Sequence, residues 1–265
     1  FDIVARALAE LDEAENKLKE INSTATGTIR ISASDTIFSY VVIDKIAEYH
    51  EKFPDVKINL INCITTETLD LLKNNKCDIA FLNLPVDDKD INLTSVIMPL
   101  HDTFVANKNY AALAEDVQPL KSMHDYPLLM LDQNTVTRKA IINFSHSIGV
   151  HLHPEVECGS LELMIQLAKN GVGIACVPKE YVRRELNDDK TLFEIRTEPA
   201  LPARSIGIAF PKNQPISYAT KEFFKLFKKE KTIQNPRGRF PARGGLGEKG
   251  DREKGGGAKT APPPF

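Results

Sequence analysis

The chain has 265 residues, of which 42 % are hydrophobic, and this is enough for one large domain or two small ones with real cores. No apolar run reaches the roughly 18 residues of a membrane span, and no signal peptide opens the chain, so we expect neither a membrane protein nor an exported one. The net charge of −2 combines +4 from Asn235 onward with −6 in the first 234 residues. An acidic body is a poor surface for nucleic acid.

The cysteines indicate a reducing compartment. They lie far apart in the chain and form no CxxC pair, and two of them fall in apolar, strand-like runs where a thiol acts as a small hydrophobe. We therefore expect a cytoplasmic protein with reduced thiols. The four are Cys63, Cys77, Cys158 and Cys176.

The first 21 residues have the spacing of an amphipathic helix. Val4, Leu8, Leu11 and Leu18 recur at three- and four-residue intervals along one face. This apolar stripe predicts a linker and dimerisation helix over residues 1–23 that pairs with a partner helix. The alternative is that the helix folds back on its own domain.

A βαβαβ series follows this helix. Helices between short apolar strands predict a parallel sheet covered on both sides. The predicted elements are the strand Thr28–Ala33, the helix Thr36–Phe53, the strand Val56–Cys63, the helix Glu67–Lys73 and the strand Asp78–Leu84, with an extended segment at Leu93–Leu100.

A second unit begins near Phe104 and repeats the alternation of strand and helix. Asn170-Gly171 is a typical end for a helix, and Pro178 ends the strand that follows it. The predicted elements are strands at Leu128–Leu131, Glu155–Cys158, Val172–Val177 and Arg204–Phe210, and helices at Arg138–Ile148, Ser160–Lys169, Lys179–Leu186 and Tyr218–Lys229.

The segment from Asn235 to Phe265 differs in composition from the rest of the chain. Its 31 residues include eight glycines and five prolines, and Leu246 is the only Leu, Ile, Val or Met among them. Such a segment buries too little apolar area to offset its ordering entropy. We interpret residues 235–265 as a disordered tail that is not native to the domain, for example a frameshifted or vector-encoded end.

Four predicted helices begin with polar residues directly after a strand. Each opening alone is explained by capping, but four of them predict a cleft in which several helix N-termini face a small anion. The openings contribute the candidate ligand-binding residues Ser34, Asp35, Thr36, Thr65, Thr66, Asn134, Thr135 and Arg138.

Arg138 is the most specific of these candidates. A cation near a helix N-terminus opposes the macrodipole, so it favours a compensating anion, and a guanidinium binds a carboxylate or oxyanion through two hydrogen bonds. The sequence shows no obvious acidic neighbour for it. The alternative is a solvated arginine in the first turn.

Signatures of enzymes and metal sites are absent from the sequence. There is no GxSxG, GxxxxGK[ST] or HExxH motif, and no nucleophile–base pair can be assembled. His146, His151 and His153 form the one histidine cluster, which lacks cysteines at zinc-finger spacing, so we assign them to surface and packing roles. We expect no enzyme, no metal and no cofactor.

In order and spacing, several stretches resemble the effector-binding part of LysR-type transcriptional regulators. These are Gly27-Thr-Ile-Arg-Ile-Ser-Ala-Ser, Phe53-Pro-Asp-Val, Cys77-Asp-Ile-Ala and Gly159-Ser-Leu-Glu followed by Asn170-Gly-Val-Gly-Ile-Ala-Cys-Val-Pro178. The resemblance runs from Gly27 to about Lys229. The family's winged helix-turn-helix has no counterpart here, and neither does the Gly/Pro-rich tail in the family.

The resemblance implies an α/β fold with two Rossmann-like subdomains of the type II periplasmic-binding-protein architecture, joined by two crossover strands. It places the crossovers near Pro99–Phe104 and Leu201–Ser205, with residues 27–100 plus 205–230 in subdomain I and residues 104–200 in subdomain II. It also implies an effector in the cleft between the subdomains, facing Ser34, Thr36, Thr66, Thr135, Arg138 and His101.

These expectations describe the effector-sensing domain of a DNA-binding transcriptional regulator. Its partners would be a small anionic or carboxylate effector and further copies of itself, as a homodimer or homotetramer. It would reach DNA only through a missing N-terminal domain, and it would not bind membranes. The alternatives are a solute-binding protein of an uptake system, which shares the fold, and an enzyme of the same fold class.

Overall fold

The computed structural model describes residues 25–212 and 214–228, together with Leu11 and Ala14, which are helical. Apart from these two residues, the predicted linker helix lies outside the described residues, as does the predicted tail at 235–265.

The first part of the described chain alternates strand and helix. Strand β1 spans Gly27–Ala33 and is followed by helix α1, which runs through Asp35–Ile37, a π-helical turn at Phe38–Val42, and Ile43–Lys52. The next elements are β2 (Val56–Asn62), α2 (Thr65–Lys73), β3 (Ile79–Leu84) and β4 (Ile91–Leu100).

A single residue, His101, separates β4 from the remaining elements. They are β5 (Asp102–Ala106), a 3-10 helix (Lys108–Ala114), β6 (Gln118–Pro119), a 3-10 helix (Leu120–Asp125), β7 (Leu128–Leu131), α3 (Val136–Ser147), β8 (Val156–Cys158), α4 (Leu161–Lys169), β9 (Ile174–Pro178), a 3-10 turn (Lys179–Tyr181), α5 (Arg183–Asn187), β10 (Phe193–Ile195), β11 (Thr197–Glu198), β12 (Arg204–Pro211) and α6 (Tyr218–Lys228).

The first five-stranded sheet has the order β2-β1-β3-β12-β4. Strand β1 pairs in parallel with β2 and β3, with Gly27 opposite Val56 and Ile31 opposite Ile79. Strand β12 pairs antiparallel with both β3 and β4. The predicted parallel βαβαβ unit is therefore present, and the late strand β12 returns to it.

The second five-stranded sheet has the order β10-β5-β9-β7-β8. Strand β7 is parallel to β8 and β9, whereas β5 is antiparallel to β9 and β10. The chain enters this sheet at His101, between β4 and β5, and rejoins the first sheet at Arg204. The two sheets and two connections confirm the predicted α/β class.

Helix α1 packs on the first sheet through its apolar face. Phe38, Val42 and Tyr49 are buried. The Tyr49 hydroxyl donates to the Ala219 carbonyl at 2.9 Å, and its ring meets Phe223 edge-on at 5.2 Å. The C-terminal helix therefore covers the same core as α1.

The predicted helix at Lys179–Leu186 is wrong in form. The segment divides into the 3-10 turn Lys179–Tyr181 and the short helix Arg183–Asn187. The break falls at Val182, a buried β-branched residue with φ −119° and ψ 17°, outside the helical region. This break separates Tyr181 from the helix that follows it.

Candidate functional site

A cleft of about 570 Å³, counting the open space at its mouth, lies between residues of the two sheets. The helices α1, α2, α3 and α4 each follow a parallel strand, namely β1, β2, β7 and β8. First-turn or capping residues of all four helices line this one cleft. Ligands of open α/β sheets bind at this carboxyl end of the strands.

The first sheet contributes the beginnings of α1 and α2. Ser34, Thr36 and Ile37 line the cleft from α1, and Ile64 and Thr65 line it from α2. The Ser34 hydroxyl accepts the Ile37 N–H at 3.4 Å and so caps α1. The Thr65 hydroxyl accepts the backbone N–H of Asn83 at 3.3 Å, which ties α2 to strand β3.

The second sheet contributes the beginnings of α3 and α4. Thr135, Val136 and Thr137 line the cleft from α3, and Gly159 and Leu161 line it from α4. The Thr135 hydroxyl donates to the Asp132 carbonyl at 2.8 Å and accepts the Arg138 N–H at 3.2 Å. This side chain is therefore held in place by its own turn.

The arrangement favours a small anion. The first N–H groups of a helix have no partner within the helix, and the helix dipole adds partial positive charge there. Among the described residues of the cleft wall there is no carboxylate, and Arg204 is the one charged side chain. Four helix beginnings thus border a space whose described wall carries no opposing negative charge.

Arg204 belongs to a buried polar cluster where the two crossover connections meet. Its guanidinium binds both carboxylate oxygens of Asp102 and donates to the Asn83 side-chain oxygen at 2.9 Å. The side chains of Arg204 and Asp102 are only 5 % and 1 % exposed. Asp102 begins β5 and Arg204 begins β12, so this ion pair joins the two connections between the sheets.

Tyr181 lines the cleft beside this cluster. The residue is 5 % exposed, and its hydroxyl has no hydrogen-bond partner among the described residues. Burial raises the pKa of this hydroxyl above its ordinary value, and the nearby positive charge of Arg204 lowers the pKa by a smaller amount. The phenol is therefore protonated at neutral pH and can donate a hydrogen bond.

Four of the nine predicted site residues line the cleft: Ser34, Thr36, Thr65 and Thr135. Asp35, Thr66 and Asn134 sit at the same openings but are exposed and outside the cleft wall. Successive residues of a helix beginning point in different directions, so one opening places only part of its polar residues in the cleft.

His101 is expected to face the effector, but it is not among the residues of the cleft wall. Its side chain is 60 % exposed and its ring Nδ1 lies 2.7 Å from the Glu180 carboxylate. Glu180 also accepts the His101 backbone N–H at 3.0 Å, and the His101 carbonyl accepts the Lys179 N–H at 2.8 Å. His101 thus anchors the first crossover to the turn that carries Tyr181.

The prediction that Arg138 lacks an acidic neighbour is wrong. Its guanidinium lies 3.3 Å from the Glu157 carboxylate and donates to the Leu131 carbonyl at 3.4 Å. Helix α3 begins at Val136, two residues earlier than predicted, and the buried Arg138 contacts Glu157 of strand β8 and is not among the residues of the cleft wall. Glu157 is the compensating anion that the sequence could not place.

Asn83, Tyr181 and Arg204 were missed as cleft residues. None lies in a helix opening, and each reaches the cleft through a sheet end or a crossover. The one available signal was the predicted crossover near Leu201–Ser205, which contains Arg204.

The described residues contain no group of three or more His, Cys, Asp or Glu that could hold a metal ion. The rings of His146 and His151 lie 4.9 Å apart, in a packing contact. A search of the described chain for a membrane-spanning helix finds none.

The family model of the LysR substrate binding domain matches residues 22–232. The chain therefore belongs to this family, which is the one that the sequence stretches resemble.

Its relatives by sequence are transcriptional regulators. The HTH-type transcriptional activator CmpR of Synechocystis is 26 % identical over 166 residues, which are 62 % of this chain and 54 % of CmpR. The HTH-type transcriptional regulator YofA of Bacillus subtilis is 25 % identical over 67 % of this chain and 59 % of YofA. The chain thus spans little more than half the length of these two proteins, whose names describe regulators and not uptake proteins or enzymes.

Solved structures share the fold. The regulatory domain of CcmR from Synechocystis in complex with 2-PG has a TM-score of 0.69 at 19 % identity, over 77 % of this chain and 97 % of that one. The effector-binding domain of QuiR in complex with shikimate has a TM-score of 0.67 at 19 % identity, over 77 % and 99 %. This chain is an effector-binding domain of the LysR family with two α/β halves.

Proposed function

We propose that this domain senses a small anionic metabolite, a carboxylate or an oxyanion, in the cleft and passes the signal to a DNA-binding domain of the intact regulator. The observation that carries this proposal is the convergence of four helix beginnings on a cleft whose described wall has no carboxylate. Ser34, Thr36, Thr65 and Thr135 are the proposed side-chain contacts.

The regulatory step is a change in the angle between two subdomains. We assign residues 27–100 plus 205–230 to subdomain I and residues 104–200 to subdomain II. The first assignment holds nearly all of the first five-stranded sheet, and the second holds nearly all of the second five-stranded sheet together with the short β6–β11 pair. An effector that touches both halves stabilises the closed arrangement by the difference between its affinities for the closed and open states.

The relatives support the wider role. Their names describe DNA-binding regulators, and two structural neighbours hold 2-PG and shikimate. By analogy, the intact protein is a cytoplasmic homodimer or homotetramer without enzymatic activity, and it contacts DNA through a domain outside this sequence. The acidic body of the chain supports a separate DNA-binding part.

Titration of the purified chain with sodium butanoate and sodium sulfate, followed by calorimetry and by melting temperature, tests the anion site. We expect binding that weakens with added potassium chloride, though less than an exposed ion pair would, because a closed cleft is poorly screened. Thr36→Val should weaken binding by about 0.5–1.5 kcal/mol, because it removes one hydrogen bond among the several that the anion accepts.

Thr66→Val is the matched control, because Thr66 also opens a helix but is exposed outside the cleft wall. Equal losses in the two variants, or no loss in either, would contradict Thr36 as a side-chain contact, and failure of both butanoate and sulfate to bind would contradict the site itself.

A further inference from the structure

The crossover end of the cleft holds two groups with unused hydrogen-bonding capacity, the Tyr181 hydroxyl and the Arg204 guanidinium. Neither is part of a helix beginning, and both line the same cleft. They are independent of the backbone N–H groups on which the proposed anion site depends.

The Tyr181 hydroxyl is buried and has no partner among the described residues. A buried donor without an acceptor destabilises the folded state, since it loses its hydrogen bond to water and gains none in return. Buried polar groups are nearly always satisfied, so an exception on the wall of a binding cleft points to a ligand group.

Contacts with both halves of the molecule position Tyr181. It stacks on Tyr40 of helix α1, with ring centroids 4.5 Å apart and an angle of 29° between the rings. On its own side, the preceding residue Glu180 binds the backbone N–H of His101 at 3.0 Å. A fixed hydroxyl discriminates between ligands more sharply than a mobile one does.

The guanidinium of Arg204 has N–H groups that make no hydrogen bond to the described residues. A guanidinium carries five N–H groups, and the bonds to Asp102 and Asn83 use three of them, which leaves one on each terminal nitrogen. Its charge, however, is already paired with the Asp102 carboxylate. The remaining N–H groups therefore suit a neutral oxygen better than a second full negative charge.

We propose that Tyr181 and Arg204 together bind a second, uncharged oxygen of the effector, so that the effector is a hydroxy or keto acid and not a simple carboxylate. This inference rests on the proposed function, which places the acid group at the helix beginnings. Both Tyr181 and Arg204 act as donors, and an oxygen that accepts from both satisfies the otherwise unpartnered phenol.

Butanoate and its 2-, 3- and 4-hydroxy derivatives test the inference, because they carry one acid group and scan the position of one hydroxyl. In calorimetric titrations of the wild-type chain, the best hydroxy isomer should bind about 2- to 12-fold more tightly than butanoate, the range of a neutral hydrogen bond. In Tyr181→Phe this ratio should fall clearly below the wild-type value, and any preference that remains is the contribution of Arg204.

Tyr110→Phe is the control variant, since it removes a phenol that packs on Tyr126 away from the described cleft wall. It should keep the wild-type ratio. A ratio in Tyr181→Phe that equals the wild-type ratio, or no preference for any hydroxy isomer in the wild type, would overturn the subsite but leave the anion site standing. Failure of all four acids and of sulfate to bind would refute the anion site, and the subsite with it.

Stability provides a second readout that does not depend on any ligand. Without ligand, Tyr181→Phe should melt about 2–4 °C higher than the wild type, because the substitution removes a buried donor without breaking a hydrogen bond. A lower melting temperature would show that the hydroxyl has a structural partner, and this would overturn the inference.

Discussion

The two ends of the cleft are built on different physical principles. The helix end is made twice, once from α1 and α2 on the first sheet and once from α3 and α4 on the second, and it offers backbone N–H groups and short hydroxyls. The crossover end is made once, from Asn83, Tyr181 and Arg204, and it offers a charged side chain and a phenol.

Because of this difference, we expect substitutions at the two ends to affect anion affinity and folding stability to different degrees. At the helix end, much of the attraction for an anion comes from backbone dipoles, which no single side-chain substitution removes. At the crossover end, Arg204 is also half of a buried ion pair that joins the two connections. Substitutions in that ion pair should lower the free energy of unfolding most, and substitutions at the helix end should lower it by much less.

The largest effect should follow Asp102→Ala. It leaves the Arg204 charge buried without its partner, and removal of one member of a buried pair lowers the free energy of unfolding by about 3–5 kcal/mol. Urea denaturation of the two proteins, followed by circular dichroism, measures this loss.

Arg184→Ala is the control for Asp102→Ala. The Arg184–Asp189 pair spans 3.2 Å, but both side chains are exposed, so its loss should lower the free energy of unfolding by less than about 1 kcal/mol. A similar small loss for Asp102→Ala would mean that the crossover pair does not hold the connections together.

The cysteines provide the next comparison. Cys63 and Cys158 lie next to the cleft-wall residues Ile64 and Gly159 and are partly exposed, whereas Cys77 and Cys176 are buried. Burial raises the pKa of the Cys77 thiol to about 12 and raises that of Cys176 well above its ordinary value. A maleimide at pH 7.5 should therefore label Cys77 and Cys176 about two orders of magnitude more slowly than the other pair.

The same shifts predict how stability depends on pH. In the unfolded chain Cys77 and Cys176 ionise near their ordinary pKa of about 9, whereas in the folded chain they keep their protons. The stability that these two protonated thiols contribute is therefore fully present below about pH 9 and is lost as the pH rises further. If peptide mass spectrometry shows that maleimide labels all four thiols rapidly in native buffer, then Cys77 and Cys176 are not protected by burial and both cysteine predictions fail.

The helix end was predictable from the sequence because its signals are local. A strand followed by Ser, Thr or Asn and an apolar periodicity marks a helix beginning, and Ser34, Thr36, Thr65 and Thr135 follow from that pattern. The crossover end was not predictable in this way. Arg204 and Asp102 are separated by about a hundred residues, and their pairing is a consequence of the strand order.

Arg138 shows where local reasoning fails. Its position near a helix beginning correctly predicted that it needs an anion, but Glu157 supplies that anion from strand β8. Arg138→Ala should therefore lower the free energy of unfolding by about 1–2 kcal/mol, since the arginine is buried and the glutamate is partly exposed. Anion affinity, measured with butanoate, should stay within about twofold of the wild type. A larger loss of affinity would return Arg138 to the binding site.

The smallest effects on stability and binding should come from two serines that each cap a helix, one of which lines the cleft while the other does not. Ser34 accepts the Ile37 N–H at 3.4 Å and lines the cleft, whereas Ser160 accepts the Leu163 N–H at 3.3 Å and is exposed outside the cleft wall. Ser34→Ala and Ser160→Ala should each lower the free energy of unfolding by about 0.5–1 kcal/mol, because each removes one N-cap.

Binding should separate these two variants. Ser34→Ala removes a hydroxyl from the cleft wall and should weaken butanoate binding by about 0.5–1 kcal/mol, whereas Ser160→Ala should leave the affinity unchanged. Paired titrations and denaturation curves on the same preparations give both quantities. If both variants lose the same affinity, the effect of Ser34 comes from the stability of its helix, and the helix end of the cleft then binds through its backbone alone.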